Sequence, residues 1–531
     1  MDTARQLIDT LIGQDVLGHD AAGTRLIETH TAWVILAGEF AWKIKKPVNF
    51  GFLDYSTLEK RRYYCAEELR LNRRFAPQIY LDVVAITGSA ESPRVGGEGP
   101  VLEYAVRMHR FAAGGLLSQL AQRGRLEAGH IDQLVERVAG FHRDTDVASQ
   151  EAPYGEAAQI KRWVSENFRQ IRPLLTGPGE TGQLEAIQQW TESEQQRLEP
   201  LMLHRKRQGA VRECHGDLHL GNITLIDNRV TLFDCIEFNP ELRWIDVISE
   251  TAFLVMDLAD RGYPHYAARF LNGYLQHSGD YEGLGMLRYY LVYRALVRAK
   301  VAMLRRQQTA ADQPAAQAAN AEYLQYMQLA QRSTRRGRPA LLITYGVSGT
   351  GKSTIAGQLC EAAGMLQLRS DIERKRMAGL EATAHSASAP GQGLYTADHT
   401  DRTYQRLAEL ATTVLQAGYA VVVDATFLQR EQRDRFRALA GQQRVPFIIL
   451  ECRAADTEIE RRVRFRAQQG DDPSEATLEV LQAQRRAGQA LAADEIPAAV
   501  SLSSDDIGPA LDALSDRLGE AETGGLTGGY F

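Results

Sequence analysis

The sequence predicts two folded domains in one chain, an α+β half followed by an α/β half built on a parallel sheet. Three observations carry this reading. The chain has 531 residues, too many for one ordinary core. Its hydrophobic pattern changes near residue 340: before it, strand-like alternation gives way to helical periodicity, and after it short apolar runs alternate with amphipathic helical stretches. Between the two lies 331–339 (QRSTRRGRP), polar, basic and broken by Gly337 and Pro339. The expected division is a first domain 1–330, a linker 331–339, a second domain 340–520 and a glycine-rich tail 521–531.

Composition narrows the function classes. With 44% hydrophobic and 24% charged residues the chain is expected to fold throughout. A net charge of −6 without a basic block argues against extended nucleic-acid binding. Five cysteines, none in a CxxC pair, argue against a disulfide framework or a zinc ribbon and suit a reducing cytoplasm. No apolar run approaches the roughly 18 residues of a membrane span. Of the 61 basic residues only 9 are lysine, which draws notice to Lys43, Lys45, Lys46 and Lys352, since a compact ammonium and a planar guanidinium serve phosphates differently.

In the first half, period-two alternation predicts strands over 25–36, 39–44, 80–87 and 101–109. Ser56 followed three residues later by Glu59 has the form of a capping box and opens a helix over 56–75. After about residue 115 the pattern is mainly helical, as in 131–142, 160–175 and 286–306. In the second half, strands are expected over 341–345, 366–369, 420–424 and 447–451, separated by helices from 352, over 398–417 and over 431–442. That alternation calls for a parallel sheet covered by helices, with ligands beyond the carboxyl ends of its strands.

The residues that carry chemistry sit at those ends. Gly346-Val-Ser-Gly-Thr-Gly351-Lys352-Ser353 fits G-x-x-x-x-G-K-[ST] between a strand and a helix, the context that motif requires. Glycines let the backbone N–H groups of Gly346, Ser348, Gly349, Thr350, Gly351, Lys352, Ser353 and Thr354 turn toward phosphates; Lys352 reaches the β/γ phosphates, and Ser353 offers a hydroxyl to Mg²⁺. Asp371 follows the second strand, where a carboxylate accepts a proton from an attacking hydroxyl, with Arg374 one turn on to hold an anionic group; helix capping is the plainer role for Asp371. Asp424 ends the strand AVVVD at the place of a Mg²⁺ carboxylate. Arg461, Arg462, Arg464 and Arg466 crowd one helix, either as a lid over ATP or as a solvated face paired with Glu458 and Glu460.

The segment 341–476, with GVSGTGKST, RSDIERK, VVVDATF, RRVRFR and DDPSEA, resembles the P-loop small-molecule and polynucleotide kinases, a group that includes gluconate kinases, zeta toxins and the 5′-kinase domain of polynucleotide kinase. The resemblance implies a P-loop NTPase fold, ATP and Mg²⁺ as cofactors, Asp371 as general base, Arg374 as a contact to an acceptor phosphate, and Arg462 with Arg466 as lid arginines.

In the first half, His215-Gly-Asp217-Leu-His-Leu-Gly-Asn222 is followed by Phe233-Asp234 at the end of an apolar strand. In kinase chemistry the first Asp receives the acceptor's proton, while the Asn and the later Asp hold Mg²⁺. This motif resembles the aminoglycoside phosphotransferase family over 20–310, and the resemblance implies a bilobal protein-kinase-like fold. By it Asp217 is the catalytic base, Asn222 and Asp234 are metal ligands, His215 is a substrate contact, and 102–107 is the hinge that receives adenine. Lys43 matches the phosphate-gripping lysine, with Lys45 on the same strand face as alternative; its glutamate partner is Glu68, or else Glu67. The loop 28–33 (ETHTAW) has no glycine, which leaves the hydroxyl of Thr29 or Thr31 to serve there.

The whole chain resembles bacterial fusions of these two kinds of domain. The implied activity is a bifunctional ATP/Mg²⁺-dependent phosphotransferase acting on small, sugar-like hydroxyl acceptors, away from membranes. Two other readings stay open: one domain serves as a non-catalytic ATP-binding regulatory module, or the second domain phosphorylates a nucleotide or polynucleotide 5′ end.

Overall fold

The fold is taken from a computed structural model, which describes all residues except 1, 15, 18–22, 52, 176, 308–312, 383, 385–393, 395, 470–473, 475, 504–505 and 519–531; the side chains of 2, 3, 113 and 466–469 are likewise outside it. The expected tail 521–531 lies outside the described residues.

The chain opens with α1 (Asp2–Gly13), β1 (Arg25–Glu28), β2 (Ala32–Ala37), β3 (Phe40–Lys45), α2 (Leu58–Asn72), β4 (Tyr80–Ser89), β5 (Ser92–Val95) and β6 (Val101–His109). The six strands form one antiparallel sheet in the order β1-β2-β3-β6-β4-β5. The single strand expected over 25–36 is a hairpin instead, turned at residues 29–31. There the Thr29 hydroxyl accepts from Ala32 N–H at 2.9 Å and Thr29 N–H donates to Ala32 C=O at 2.9 Å. Helix α2 is capped by Thr57, whose side chain accepts from Lys60 N–H, and not by Ser56. Ser56 is committed to Asp54, to which both its N–H (3.0 Å) and its hydroxyl (2.6 Å) donate.

Alternation along β3 decides what this sheet presents. Trp42 and Ile44 join Trp33, Ile35, Ile86 and the α1 residues Leu7, Ile8 and Leu11 in one apolar cluster. Lys43 and Lys45 therefore project from the opposite face, on which α2 places Glu68.

The middle of the chain comprises α3 (Leu117–Gln122), α4 (Ala128–Asp144), α5 (Ala157–Ile171), α6 (Pro178–Arg207), β7 (Val211–Glu213), β8 (Ile223–Ile226), β9 (Arg229–Leu232), β10 (Trp244–Asp246), α7 (Val247–Asp260), α8 (Pro264–Ser278), α9 (Leu284–Gln307) and α10 (Pro314–Ser333). Strands β8 and β9 form a hairpin, as the loop–strand sequence around Asn222 and Asp234 requires, and β7 pairs with β10. Arg205 makes a buried bidentate pair with Asp246, 2.8 Å on each side, and Asp246 also accepts from Ile248 N–H at 2.9 Å, which starts α7.

The last part is β11 (Leu341–Tyr345), α11 (Lys352–Ala363), β12 (Leu366–Arg369), α12 (Ser370–Met377), α13 (Ala397–Gln416), β13 (Val421–Asp424), α14 (Arg430–Gln443), β14 (Phe447–Arg453), α15 (Asp456–Gln469), α16 (Leu478–Ala487), β15 (Ala499–Ser503) and α17 (Gly508–Leu518). Its five strands are all parallel, in the order β12-β13-β11-β14-β15. The apolar runs of β11, β13 and β14 are buried on both faces, against α11 on one side, as parallel strands need. Of the expected linker 331–339, the first three residues close α10.

Two compact units emerge from the packing. One holds Met1–Gln133, Asp144–Ile160 and Leu201–Leu254; the other holds Leu134–Arg143, Lys161–Pro200 and Val255–Phe531, so the later helices of the first half share a unit with the parallel sheet. Among the described residues no helix is long and apolar enough to cross a membrane, and the five cysteines are buried and outside any disulfide.

Within the larger unit, Arg433 of α14 pairs with buried Glu495 through Nε and Nη2 at 2.7 and 2.9 Å. Arg433→Ala leaves that carboxylate buried without its cation and is expected to cost about 3–5 kcal/mol. Calorimetry checks this: the transition that melts the parallel sheet moves to lower temperature, whereas an unchanged transition refutes the assignment.

Candidate functional site

Each compact unit carries one constellation of the predicted residues. In the smaller unit it is built on a buried glutamate. Glu68 has no solvent exposure, and its two oxygens meet Lys43 Nζ and Lys45 Nζ at 2.7 Å each. Burial alone would raise its pKa; the two ammonium groups outweigh that and hold the carboxyl below the usual range. Glu67 is turned away, pairing with Arg70 at 3.0 Å and Arg243 at 3.3 Å.

The two lysines are not equivalent. Lys45 is 1% exposed and is enclosed by Glu68, Glu237 and Tyr55, whose hydroxyl also donates to Glu237. Lys43, 16% exposed, reaches from Glu68 to Asp234 Oδ1 at 2.6 Å. Of the pair, Lys43 is the one placed for a ligand, and Lys45 is part of the wall.

The loop after β7 is held from beneath. His215 is fully buried: Nε2–H donates to Phe233 C=O at 2.8 Å, and Nδ1 accepts from Asp217 N–H at 3.3 Å, which assigns the neutral tautomer. Burial depresses its pKa against the pull of Glu250 and Asp217, so it stays neutral. This corrects its expected role as a substrate contact: both ring nitrogens are spent inside the protein, and His215 orients the loop. Gly216, at φ 88°, donates its N–H to Glu250 at 2.6 Å, and a Cβ there would lie 2.8 Å from Leu242 C=O. Only glycine fits that turn.

Asp217 itself remains 36% exposed at its side chain. Asn222 Nδ2 donates to Asp217 Oδ2 at 3.0 Å, and His219 Nε2 lies 3.4 Å from the same oxygen while its Nδ1 accepts from Gly221 N–H. The sequence reading missed His219, although the spacing HGDLH puts it two residues past Asp217. Asn222 C=O takes Phe233 N–H at 3.0 Å, which brings Asp234 beside Asn222. Asp234 adopts φ 63° and donates its N–H to the buried Tyr80 hydroxyl at 3.1 Å. Together Asn222 and Asp234 form a hard-oxygen donor set, 44% exposed at Asp234, that fits Mg²⁺.

Residues 102–107 lie inside β6, where 105–107 pair with both β3 and β4 while 102–104 have no partner in β3, so the sheet takes both edges of only the second half of the expected hinge. The Thr29 hydroxyl is consumed by its own turn, accepting from Ala32 N–H and donating to Ala32 C=O at 3.0 Å.

In the larger unit the constellation lies at the carboxyl ends of β11, β12 and β13. Gly346, Gly349 and Gly351 have φ 148°, 91° and 91°, and a Cβ on Gly349 would lie 2.9 Å from Ile459 C=O. The loop thus wraps the N-terminus of α11 as an anion cradle. Thr350 Oγ1 and Lys352 Nζ both donate to Val347 C=O, at 2.9 and 2.8 Å, and Ser348 N–H donates to Gln484 Oε1 at 2.8 Å. Ser353 and Thr354 are exposed at the helix start. These groups fit a polyphosphate.

Gln367, which the sequence reading did not single out, holds the metal candidate Asp424 in place. Its Nε2 donates to Asp424 Oδ2 at 3.0 Å and reaches Ser353 C=O at 3.5 Å. Asp371, half-buried in the first turn of α12, is raised above the usual aspartate range by its desolvated setting; Arg374 and Arg369 oppose this, Asp424 adds to it, and the Ser474 hydroxyl bonds to it. Arg374 is buried, with Nη1 donating to Leu394 C=O at 2.7 Å and to Thr400 Oγ1 at 3.3 Å, so it forms the wall behind Asp371. Arg462 pairs with Glu458 at 2.6 Å along α15, as does Arg461 at 2.7 Å. The Arg466 side chain and most of the loop 382–393 lie outside the described residues.

Comparison with known proteins finds two matching family models in the chain. Residues 64–287 match the model of the phosphotransferase enzyme family, and residues 341–491 match an AAA domain model. The first match holds Glu68, Asp217, Asn222 and Asp234 but begins after Lys43; the second holds the phosphate loop, Asp371 and Asp424. Among solved structures, the chain is similar to a choline/ethanolamine kinase family protein from Mesorhizobium loti, at 12% identity and a TM-score of 0.37 over 62% of this chain and 99% of that one. It is also similar to a sugar kinase from Janibacter, at 21% identity and a TM-score of 0.26 over 34% of this chain and 94% of that one. An uncharacterized protein of Mycobacterium tuberculosis is 30% identical over 453 residues, 85% of this chain and 88% of that protein. The chain belongs to the family of that mycobacterial protein, and is a kinase with a phosphotransferase-family domain followed by a P-loop domain.

Proposed function

We propose that the chain is a bifunctional ATP/Mg²⁺-dependent phosphotransferase, each domain moving a γ-phosphoryl group to a hydroxyl of a small, sugar-like metabolite. The observation that carries this is the duplication of parts: each compact unit holds a lysine at a phosphate position, an oxygen donor set for a divalent cation and a separate, partly open aspartate.

In the first site Lys43 is the cation for the ATP phosphates, Asn222 and Asp234 would hold Mg²⁺, and Asp217 receives the acceptor proton while His219 and Asn222 hold its carboxylate in place. In the second, the loop amides and Lys352 take the phosphates, Ser353 and Asp424 would hold Mg²⁺, and Asp371 is the base. Mg²⁺ held by these residues would supply positive charge to offset that of the transferring phosphoryl group. The net charge of −6 leaves attraction of ATP to these local cations.

One observation favours a second reading for the first half alone. The turn 29–31 carries no glycine and the Thr29 hydroxyl is spent within it, which fits a domain that binds ATP without transferring from it. Mg·ATP binding to the full chain carrying Lys352→Met separates the two: binding with Asp217-dependent turnover supports catalysis, and binding without it supports a sensor.

Asp217→Asn and Asp371→Asn are each expected to lower kcat about 10²–10⁴-fold for their own acceptor and to spare the other reaction. An untargeted metabolite phosphorylation screen measures this; if neither change alters any transfer, the proposal fails.

The raised pKa of Asp371 sets a pH dependence. A base works only when ionised, so second-site kcat/KM falls as pH drops through a value above the ordinary aspartate range. Arg374→Met removes a charge that stabilises the ionised form, and the acid limb of the kcat/KM profile moves to higher pH. A limb that stays in place, or moves down, contradicts the assignment.

A further inference from the structure

The outer edge of the parallel sheet is closed by a side chain. Strand β12 is the terminal strand, and residues on its inner edge pair with β13, as in Leu366 N–H to Ala420 C=O at 3.0 Å. On the outer edge Gln367 N–H and Met365 C=O face away from the sheet, where an uncovered strand would leave them without a partner. Both are taken by Asn272 of α8: its Oδ1 accepts from Gln367 N–H at 2.7 Å, and its Nδ2 donates to Met365 C=O at 2.9 Å. Asn272 is only 6% exposed, and its Nδ2 also donates to Ala268 C=O at 3.0 Å, which locks the rotamer. One amide thus supplies the donor and acceptor that a neighbouring strand would supply.

The same helix holds the elements on either side. Arg269 pairs with Glu361 of α11 at 2.6 Å, on the helix that begins with Lys352. Arg376 of α12 caps the carboxyl end of α8 by donating to Gln276 C=O. Gly279, at φ 73°, leaves room for that guanidinium, since a Cβ there would lie 2.9 Å from Arg376 Nε. Gln276 Nε2 reaches Gln367 Oε1 at 3.5 Å, and the Gln367 side chain continues to Asp424 and Ser353. Asp371 sits at the junction of β12 and α12, both of which α8 holds.

We propose that α8 is the positioning element of the second phosphoryl-transfer site, with Asn272 and Gln367 as positioning residues, so that a helix from the stretch matched to the phosphotransferase family sets the base and metal ligands of the P-loop domain. This rests on the reading of Asp371 and Asp424 given above. Asn272 fixes the backbone of Gln367, Gln367 orients Asp424 beside Ser353, and Arg376 fixes the far end of the helix that carries Asp371. None of these groups touches a reacting atom.

The test uses the full-length protein. In Asn272→Ala, hydrogen–deuterium exchange at the Gln367 amide is expected to rise at least about tenfold, as for loss of one buried hydrogen bond. Asp371-dependent kcat falls by a similar factor, KM for ATP stays within about twofold, and Asp217-dependent transfer is unchanged. Asn272→Asp, which keeps the acceptor for Gln367 N–H and loses the donor to Met365 C=O, gives an intermediate exchange rate. Gln367→Glu places a second carboxylate beside Asp424 and lowers second-site kcat without altering exchange elsewhere. Unchanged exchange at Gln367 in Asn272→Ala overturns the proposal, as does faster exchange with second-site kcat at the unmodified level. Exchange does not depend on turnover, so failure of the kinase reading, seen as no Asp371-dependent transfer in the unmodified chain, is told apart from failure of this one.

Discussion

Burying a carboxylate without solvent contact obliges the protein to bring cations to it, and Glu68 is where the first half meets that obligation. A lone charge there would cost several kcal/mol. Lys43 and Lys45 converge on its two oxygens from one strand face, and each carries the constraint onward: Lys45 to Glu237 and Tyr55, Lys43 to Asp234. The register of β3, the seating of α2 and the position of the loop after β9 are tied to one buried group.

Most of the remaining geometry is backbone held by side chains. In the first site His215, Glu250, Tyr80 and Asn72 donate to or accept from main-chain groups next to Asp217 and Asp234, so the aspartates stay open to solvent while their backbone does not move freely. In the second, Asn272 does the same for the strand that leads to Asp371. The carboxylates of Asp217 and Asp371 are thus left partly open, and amides and a neutral imidazole hold the backbone around them.

Much of this was legible beforehand, and the failures have physical causes. The parallel sheet followed from apolar runs buried on both faces, and every strand expected in the second half is present, with β15 added after it. The hairpin at residues 29–31 was read as one strand because Thr, His and Trp suit strands and the turn is closed by a Thr hydroxyl, not by glycine. Of the expected hinge 102–107, residues 105–107 lie mid-sheet, which depends on the pairing order of β3, β6 and β4. His215 belongs to a catalytic motif, yet its burial is a property of the packing around Phe75 and Phe233.

What the sequence by itself determined is local. Strand alternation, helix periodicity, the glycines of 346–351 and the order Asp217, Asn222, Asp234 follow from backbone sterics and from chemistry that acts over a few residues. Only the tertiary structure decided that Lys43 is open and Lys45 closed, that Glu68 and not Glu67 lies between them, and that Asn272 completes a strand 93 residues away. Charge pairing and edge closure join groups far apart in the chain, and packing selects among partners that are chemically alike.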